Sequence, residues 1–226
     1  MERKIITTAD GSSTIYLPDL DETYHSRHGA IQEALHVFIT SGLDYWSDKY
    51  PEKQELSVLE IGFGTGLNAF LTCLHAESLH CKIKYTGVEA YPVTSEHLQH
   101  INYSKEILSG TQESVFNTLH DVSWEVMHDI TSKFSLLKQE KTFNDITDEA
   151  LYDLVFFDAF GPRVQPELWG EAVFKIMYKA LKPGGVLVTY SAQGNARRAM
   201  QTVGFLVDRI PGPPGKREML RANKPL

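Results

Sequence analysis

The chain has 226 residues, 42% of them hydrophobic and 23% charged, with a formal net charge of −7 and two cysteines. That length fits one α/β domain with a full core, and no apolar run approaches the roughly 20 residues that span a membrane. The charge excludes a uniformly basic nucleic-acid binder, and two cysteines exclude a disulfide scaffold.

Met1-Glu2-Arg3-Lys4 is followed by Thr-Thr-Ala-Asp-Gly rather than by an apolar signal region, which predicts a soluble cytoplasmic protein. Residues 7–16 read as a hairpin around Asp10-Gly11, and Ile31–Trp46 reads as an amphipathic helix with Ala34, Leu35, Phe38 and Ile39 on one side. Residues 1–50 thus form an expected N-terminal extension to a second unit, 51–226. From residue 56 onward apolar runs alternate with helical stretches. Strands are predicted at Leu56–Ile61, Ile83–Glu89, Trp124–His128, Leu154–Asp158, Gly185–Tyr190, Phe205–Arg209 and Glu218–Arg221. Helices are predicted at 66–78, 92–101, 111–119, 166–181 and 193–203, and residues 132–150 read as an inserted surface segment.

The first of these strands breaks into V-L-E-I-G-F-G-T-G-L-N (58–68). Gly62, Gly64 and Gly66 let the backbone turn tightly and approach a ligand. A dinucleotide fingerprint needs its third glycine at 67, where Leu67 stands, and no Gly-Lys-Ser/Thr follows to make a P-loop. The pattern acidic-x-Gly-x-Gly-x-Gly resembles the first motif of the S-adenosylmethionine-dependent methyltransferases.

Ligands of an open α/β sheet bind at the carboxyl ends of the strands, so the acids there are the candidates. Glu89 ends the second predicted strand, where a carboxylate can accept both ribose hydroxyls of an adenosine. Asp129 follows the third, beside His128, in reach of an adenine amine. Asp158 ends the fourth. Around these acids the expected cofactor set is Glu60, Gly62, Phe63, Gly64, Thr65, Gly66, Asn68, Glu89, Ala90, His128, Asp129 and Asp158. Cys73, His75, His80 and Cys81 cluster in sequence, but their spacing sends them to different faces of a helix, and no metal is expected.

D-A-F-G-P-R-V-Q-P-E-L-W (158–169), T-Y-S-A-Q-G-N-A-R-R-A-M (189–200), V-G-F-L-V (203–207), P-G-P-P-G-K-R-E-M-L-R-A (211–222) and D-E-T-Y-H-S-R-H-G-A-I-Q-E-A-L-H-V-F-I (21–39) resemble the methyltransferase part of the MnmC family of tRNA-modifying enzymes. Gly161, Val164-Gln165, Asn195-Ala196 and Thr40-Ser41-Gly42-Leu43 depart from that family's pattern, all of them away from the cofactor motifs. The resemblance implies a Rossmann-like methyltransferase sheet of seven strands, S-adenosylmethionine as cofactor, and a tRNA substrate. It further implies methylation of the aminomethyl group on a modified wobble uridine, giving 5-methylaminomethyl-2-thiouridine. In the fused enzyme a flavin-dependent oxidase frees that amine. No second glycine fingerprint occurs before Leu226, so that step is expected in a separate protein, or not at all.

Asp158 and Phe160 are the expected catalytic pair. An ordinary carboxylate near 4 would have to deprotonate an alkyl ammonium near 10, uphill by roughly 8 kcal/mol. Asp158 is therefore expected to orient the amine rather than serve as a stand-alone base. Tyr24, Phe160, Trp169 and Tyr190 are expected to wall the pocket and stack on a flipped-out base. The last thirty residues concentrate Arg197, Arg198, Arg209, Lys216, Arg217, Arg221 and Lys224 against Asp208 and Glu218. Of these, Arg197, Arg198, Lys216 and Arg217 are expected to meet phosphate or the base edge. Two other readings of the residues stay open: a small-molecule amine methyltransferase or polyamine-synthase-like enzyme on the same fold, and a non-catalytic tRNA- or protein-binding domain. Polyamine synthases usually carry a second acid just behind the fourth-strand Asp, where this chain has Ala159-Phe160-Gly161-Pro162.

Overall fold

A computed structural model describes residues 2–108 and 113–226. Lys4–Thr7 (β1) and Ser13–Leu17 (β2) pair antiparallel across Asp10-Gly11, and Glu22–Thr23 (β3) adds a third short strand. The turn closes on its own side chains: Asp10 accepts hydrogen bonds from the hydroxyls of Thr8 and Ser12 and from the Ser12 N–H. A helix then runs without interruption through Ala30–Ala34 (α1), a π-helical stretch Leu35–Asp44, and Tyr45–Lys49 (α2). Val37, Phe38, Leu43 and Trp46 bury against the sheet. At Gly42 a Cβ would stand 2.9 Å from Val188 and 3.1 Å from Phe156, so only glycine lets the helix lie this close.

The main sheet holds Glu55–Ile61 (β4), Lys82–Glu89 (β5), Met127–Asp129 (β6), Phe134–Glu140 (β7), Tyr152–Phe157 (β8), Leu181–Thr189 (β9), Leu206–Pro211 (β10) and Glu218–Asn223 (β11). Their spatial order is β10-β11-β9-β8-β4-β5-β7-β6, with β9, β8, β4, β5 and β7 parallel and the rest antiparallel. Strands β4 and β8 read as near-continuous apolar runs because both faces are covered. Leu67–Ala76 (α3) and the 30–49 helix cover one face, and Glu171–Ala180 (α7) and Gly194–Thr202 (α8) cover the other. Shorter helices stand at Ser95–Leu98 (α4), Tyr103–Leu108 (α5) and Glu113–Asp121 (α6). The chain leaves β4 toward β5 on one side and returns to β8 on the other, which makes a topological switch point at the carboxyl end of β4.

This is the expected α/β methyltransferase-type sheet, with eight strands instead of seven. The difference lies at one edge. Trp124–His128 is not the third parallel strand; only Met127–Asp129 is extended, as a short antiparallel edge on β7. The third parallel strand is Phe134–Glu140, inside the segment expected to be a surface insertion. Its sequence, F-S-L-L-K-Q-E, buries Phe134, Leu136 and Lys138. A lysine at an inward position disguised the pattern: its ammonium donates to the His120 carbonyl at 2.8 Å and lies 5.2 Å from the Trp124 ring centroid, and burial lowers its pKa to about 8. The helix expected at 92–101 is the single turn α4, that at 166–181 is a 3-10 turn followed by α7, and residues 111–112 of the helix expected at 111–119 lie outside the described residues.

Candidate active site

A cavity of about 430 Å³ opens at the carboxyl ends of the parallel strands. Its floor is the loop that follows β4. Gly62 and Gly64 take φ of 88° and 52°, in the left-handed region. A Cβ on Gly62 would stand 2.7 Å from the carbonyl oxygen of Asp158, so glycine is what lets the β4 and β8 loops touch. Gly66 precedes α3 with φ of 72°. Phe63 turns inward against the backbone of Gly87, where no Cβ stands in its way. Thr65 is buried, its hydroxyl 3.0 Å from that of Tyr103.

Glu89, at the end of β5, accepts the Gly64 N–H on one carboxylate oxygen and the Tyr91 N–H on the other, each at 2.9 Å. The acid thus fixes the glycine loop while each oxygen keeps a lone pair toward the cavity it lines with Ala90. Asn68, in the first turn of α3, donates both amide hydrogens, to Glu60 Oε1 at 2.9 Å and to Asp158 Oδ2 at 2.8 Å. Its own Oδ1 is buried with no partner among the described residues.

Glu60 does not reach the cavity. It is fully buried under the loop, and burial, reinforced by the Asp158 charge, raises its pKa well above the ordinary value. Burial is also the main influence on Asp158, opposed by the Asn68 hydrogen bond, and the pKa rises to about 7.

Around Asp158 the walls are aromatic. Tyr24 and Phe160 meet edge to face at 5.1 Å between centroids, and both line the cavity with Tyr190. The Tyr190 hydroxyl donates to the Ala159 carbonyl at 2.8 Å, and Trp169 Nε1 donates to the Phe160 carbonyl at 2.8 Å. Trp169 is therefore buried behind the wall and holds the Asp-Ala-Phe loop instead of facing the cavity. Lys216 lines the cavity too, with Nζ 2.5 Å from Glu33 Oε1 and 4.0 Å from the Tyr190 ring centroid.

Several expected residues are elsewhere. His128 and Asp129 sit on the edge strand β6: His128 is 2.9 Å from the Ser123 hydroxyl, and Asp129 accepts the Ser135 hydroxyl at 2.6 Å. Asp129 borders a groove with Glu55 and Lys82 at the starts of β4 and β5, the opposite end of the sheet from the glycine loop. The misplacement follows from taking 124–128 as the third strand. The true third strand delivers Thr142, Phe143 and Asn144 to the cavity. Arg197 and Arg198 lie on α8 and Arg217 is exposed on the β10–β11 turn; none of them lines the cavity. Residues the sequence reading missed are Glu33, His25 and Tyr91, together with these three of the 142–144 turn. Glu33 was within the stretch that carries the resemblance, but nothing local marks it as facing a ligand. His25 is held neutral by burial, with a pKa of about 4, and Nδ1 lies 3.0 Å from the Thr14 hydroxyl.

Cys73 and Cys81 are both buried, and among the described residues no group of three or more His, Cys, Asp or Glu is placed to hold a metal ion.

Comparison with known proteins agrees with this fold. Residues 112–225 match a family of S-adenosyl-L-methionine-dependent methyltransferases. The tRNA 5-methylaminomethyl-2-thiouridine biosynthesis bifunctional protein MnmC of Paraburkholderia xenovorans is 27% identical over 92% of this chain and 33% of its own length. The protein of the same name from Cupriavidus metallidurans is 28% identical over 95% of this chain and 33% of its own. The chain spans about a third of the length of these relatives. Among solved structures, MnmC2 from Aquifex aeolicus superimposes with a TM-score of 0.81 at 24% identity, covering 100% of this chain and 72% of that one. Spermidine synthase from Thermotoga maritima follows with a TM-score of 0.52 at 14% identity, covering 94% and 68%. At these identities both structures speak to the fold.

Proposed function

The chain belongs to the S-adenosyl-L-methionine-dependent methyltransferases, and from that premise we propose that it N-methylates the aminomethyl group of a modified wobble uridine in tRNA, giving 5-methylaminomethyl-2-thiouridine. The observation that carries this reading is the position of Asp158: a carboxylate on the cavity floor, beside the glycine loop and among the rings of Tyr24, Phe160 and Tyr190. The similarity to proteins named for that modification supports the same substrate.

The residues present fit the cofactor. A glycine-rich floor, a carboxylate at the end of β5 and a buried acceptor with no partner among the described residues, Asn68 Oδ1, together suit a ligand with a ribose and an ammonium group. We assign Glu89 to the ribose hydroxyls, Gly62, Phe63, Gly64 and Asn68 to the methionyl part, and Ala90, Tyr91, Thr142 and Asn144 to the adenine end, in place of His128 and Asp129. When bound, the cofactor supplies an electrophilic methyl group on a sulfonium.

The chain's own task is to present a neutral amine. A primary ammonium near 10 loses its proton to an ordinary carboxylate only at a cost of roughly 8 kcal/mol. Burial changes that estimate, because Asp158 at about 7 leaves a gap of about 3 units, or about 4 kcal/mol at 1.36 kcal/mol per unit. Asp158 thus both orients the amine and takes its proton, while Asn68, itself held by Glu60, keeps the carboxylate in place. Phe160 and Tyr24 flank the amine and exclude water. Trp169, from behind the wall, and Tyr190, within it, pin the carbonyls of the loop that carries Asp158.

The flavin-dependent oxidation that frees the amine is, in this proposal, a separate step from the methyl transfer at Asp158. The setting is the cytoplasm, and no helix among the described residues is long and apolar enough to cross a membrane. Incubation with labelled S-adenosylmethionine and bulk tRNA carrying the aminomethyl precursor, followed by digestion to nucleosides, is the direct test. Label in 5-methylaminomethyl-2-thiouridine is the expected result. Normal cofactor binding with unlabelled tRNA would overturn the substrate.

A further inference from the structure

The cavity holds one ion pair that no step above uses. Glu33 comes from α1 and is 8% exposed; Lys216 comes from the turn between β10 and β11. They meet at 2.5 Å, with the Lys216 ammonium over the Tyr190 ring, and the second Glu33 oxygen accepts the Ser26 N–H at 2.9 Å. Removing two charges from water offsets much of what their attraction returns, so a pair set into a cavity wall is poorly explained by stability. Both side chains line the cavity with Asp158 and act on its charge, Glu33 and Lys216 in opposite senses.

Building on the tRNA reading above, we propose that Lys216 and Glu33 read the Watson–Crick edge of the wobble base, Lys216 donating to the O4 carbonyl and Glu33 accepting the N3–H. On a uracil ring the C5 substituent, the C4 carbonyl and the N3–H are consecutive. A base that brings its 5-aminomethyl nitrogen to Asp158 therefore offers an acceptor and then a donor beside it. The wall offers the complement, a carboxylate for the amine, an ammonium for O4 and a second carboxylate for N3–H. Lys216 has three N–H donors, so contact with Glu33 leaves it able to donate to a base. A cytosine ring reverses both edge groups, placing an amino donor against Lys216 and a bare N3 against Glu33. The Tyr190 ring under Lys216 and the Tyr24–Phe160 pair give the base flat apolar neighbours.

The test uses RNA anticodon stem-loops with 5-aminomethyluridine, its N3-methyl derivative or 5-aminomethylcytidine at the wobble position, and the full chain with S-adenosylmethionine. The unaltered protein is expected to methylate the uridine and to lose about 10- to 100-fold in kcat/KM on each analogue, mainly through KM, as an unsatisfied buried partner demands. Glu33→Ala and Lys216→Ala should lower kcat/KM on the uridine and shrink the discrimination to within about threefold, with cofactor affinity unchanged. Equal turnover of all three stem-loops by the unaltered protein overturns the inference, and this readout needs no variant to fold. So does full discrimination in both variants. Failure to methylate the uridine stem-loop at all overturns the tRNA reading and this inference with it, whereas methylation without discrimination removes the inference alone.

Discussion

The two halves of the cavity are built differently. The cofactor half is mostly local: the Gly64 N–H reaches Glu89 across 25 residues, the loop, Asn68 and Glu89 all fall between residues 62 and 89, and only the 142–144 turn comes from farther along. The substrate half is assembled from distant segments, with Lys216 meeting Glu33 across 183 residues and Tyr24 meeting Phe160 from the other end of the chain. A local site is made of backbone conformation, which constrains residue type and leaves a readable pattern. A site made of side chains brought together by the fold constrains each position only weakly.

If that division holds, substitutions in the two halves should separate kinetically. Asp158→Asn keeps the volume but removes the proton acceptor, and should cost about 10²- to 10⁴-fold in kcat with cofactor affinity within tenfold. Full turnover in this variant would sink the role assigned to Asp158. Glu89→Ala removes the anchor of the loop and two acceptors, and should raise the cofactor Kd by about 10- to 100-fold, read by calorimetry, while kcat at saturation changes less. A variant on either side that moved both constants equally would erase the distinction.

What the sequence revealed follows the same line. The switch-point loop, β4, β5, β8 and β9 were legible because parallel buried strands leave apolar runs and tight turns leave glycines, and the antiparallel β10 and β11 flank a Pro/Gly-rich turn. The third strand was hidden by Lys138, whose charge is met by a carbonyl at the end of α6 and the face of Trp124, neither visible from residues 134–140. That one misreading carried His128 and Asp129 to the wrong end of the sheet and hid Thr142 and Asn144. Trp169 is expected from the sequence as a pocket wall and Lys216 as a contact to phosphate or the base edge, but only the folded wall shows that one braces the Asp158 loop while the other lines the cavity. The value of 4 for Asp158 failed for a related reason, since burial at a strand end depends on what covers it.

A smaller effect tests that burial through stability. The Asp158 pKa in the fold lies above its value in the unfolded chain, so its contribution is fully present below about 4 and is lost as pH rises through about 7. Thermal melts of the unaltered protein and Asp158→Asn, without cofactor, should therefore diverge between about pH 4 and 7, the variant gaining about 1–3 kcal/mol. Parallel curves would mean that Asp158 is solvated. In the same range Gly62→Ala should cost about 1–3 kcal/mol, because a Cβ there meets the Asp158 carbonyl at positive φ. Gly161→Ala, whose Cβ would find only the Tyr190 hydroxyl at 3.6 Å, is the matched control and should be nearly neutral.

The smallest effect belongs outside the cavity. Arg217 is exposed next to Lys216 on the β10–β11 turn and does not line the cavity, so its proposed partner is a tRNA phosphate. A phosphate contact carries no base information and is weakened by salt through counterion release. Arg217→Ala should accordingly raise the KM for tRNA a few-fold at low salt, leave kcat and cofactor affinity alone, and flatten the slope of log affinity against log salt by about 1. Lys216→Ala should leave that slope unchanged while altering base discrimination, because its charge is paired with Glu33 inside the cavity. Two neighbours in sequence would then show opposite dependences, one on salt and one on the base, and a salt slope that moved equally in both variants would return Lys216 to the phosphate-binding surface.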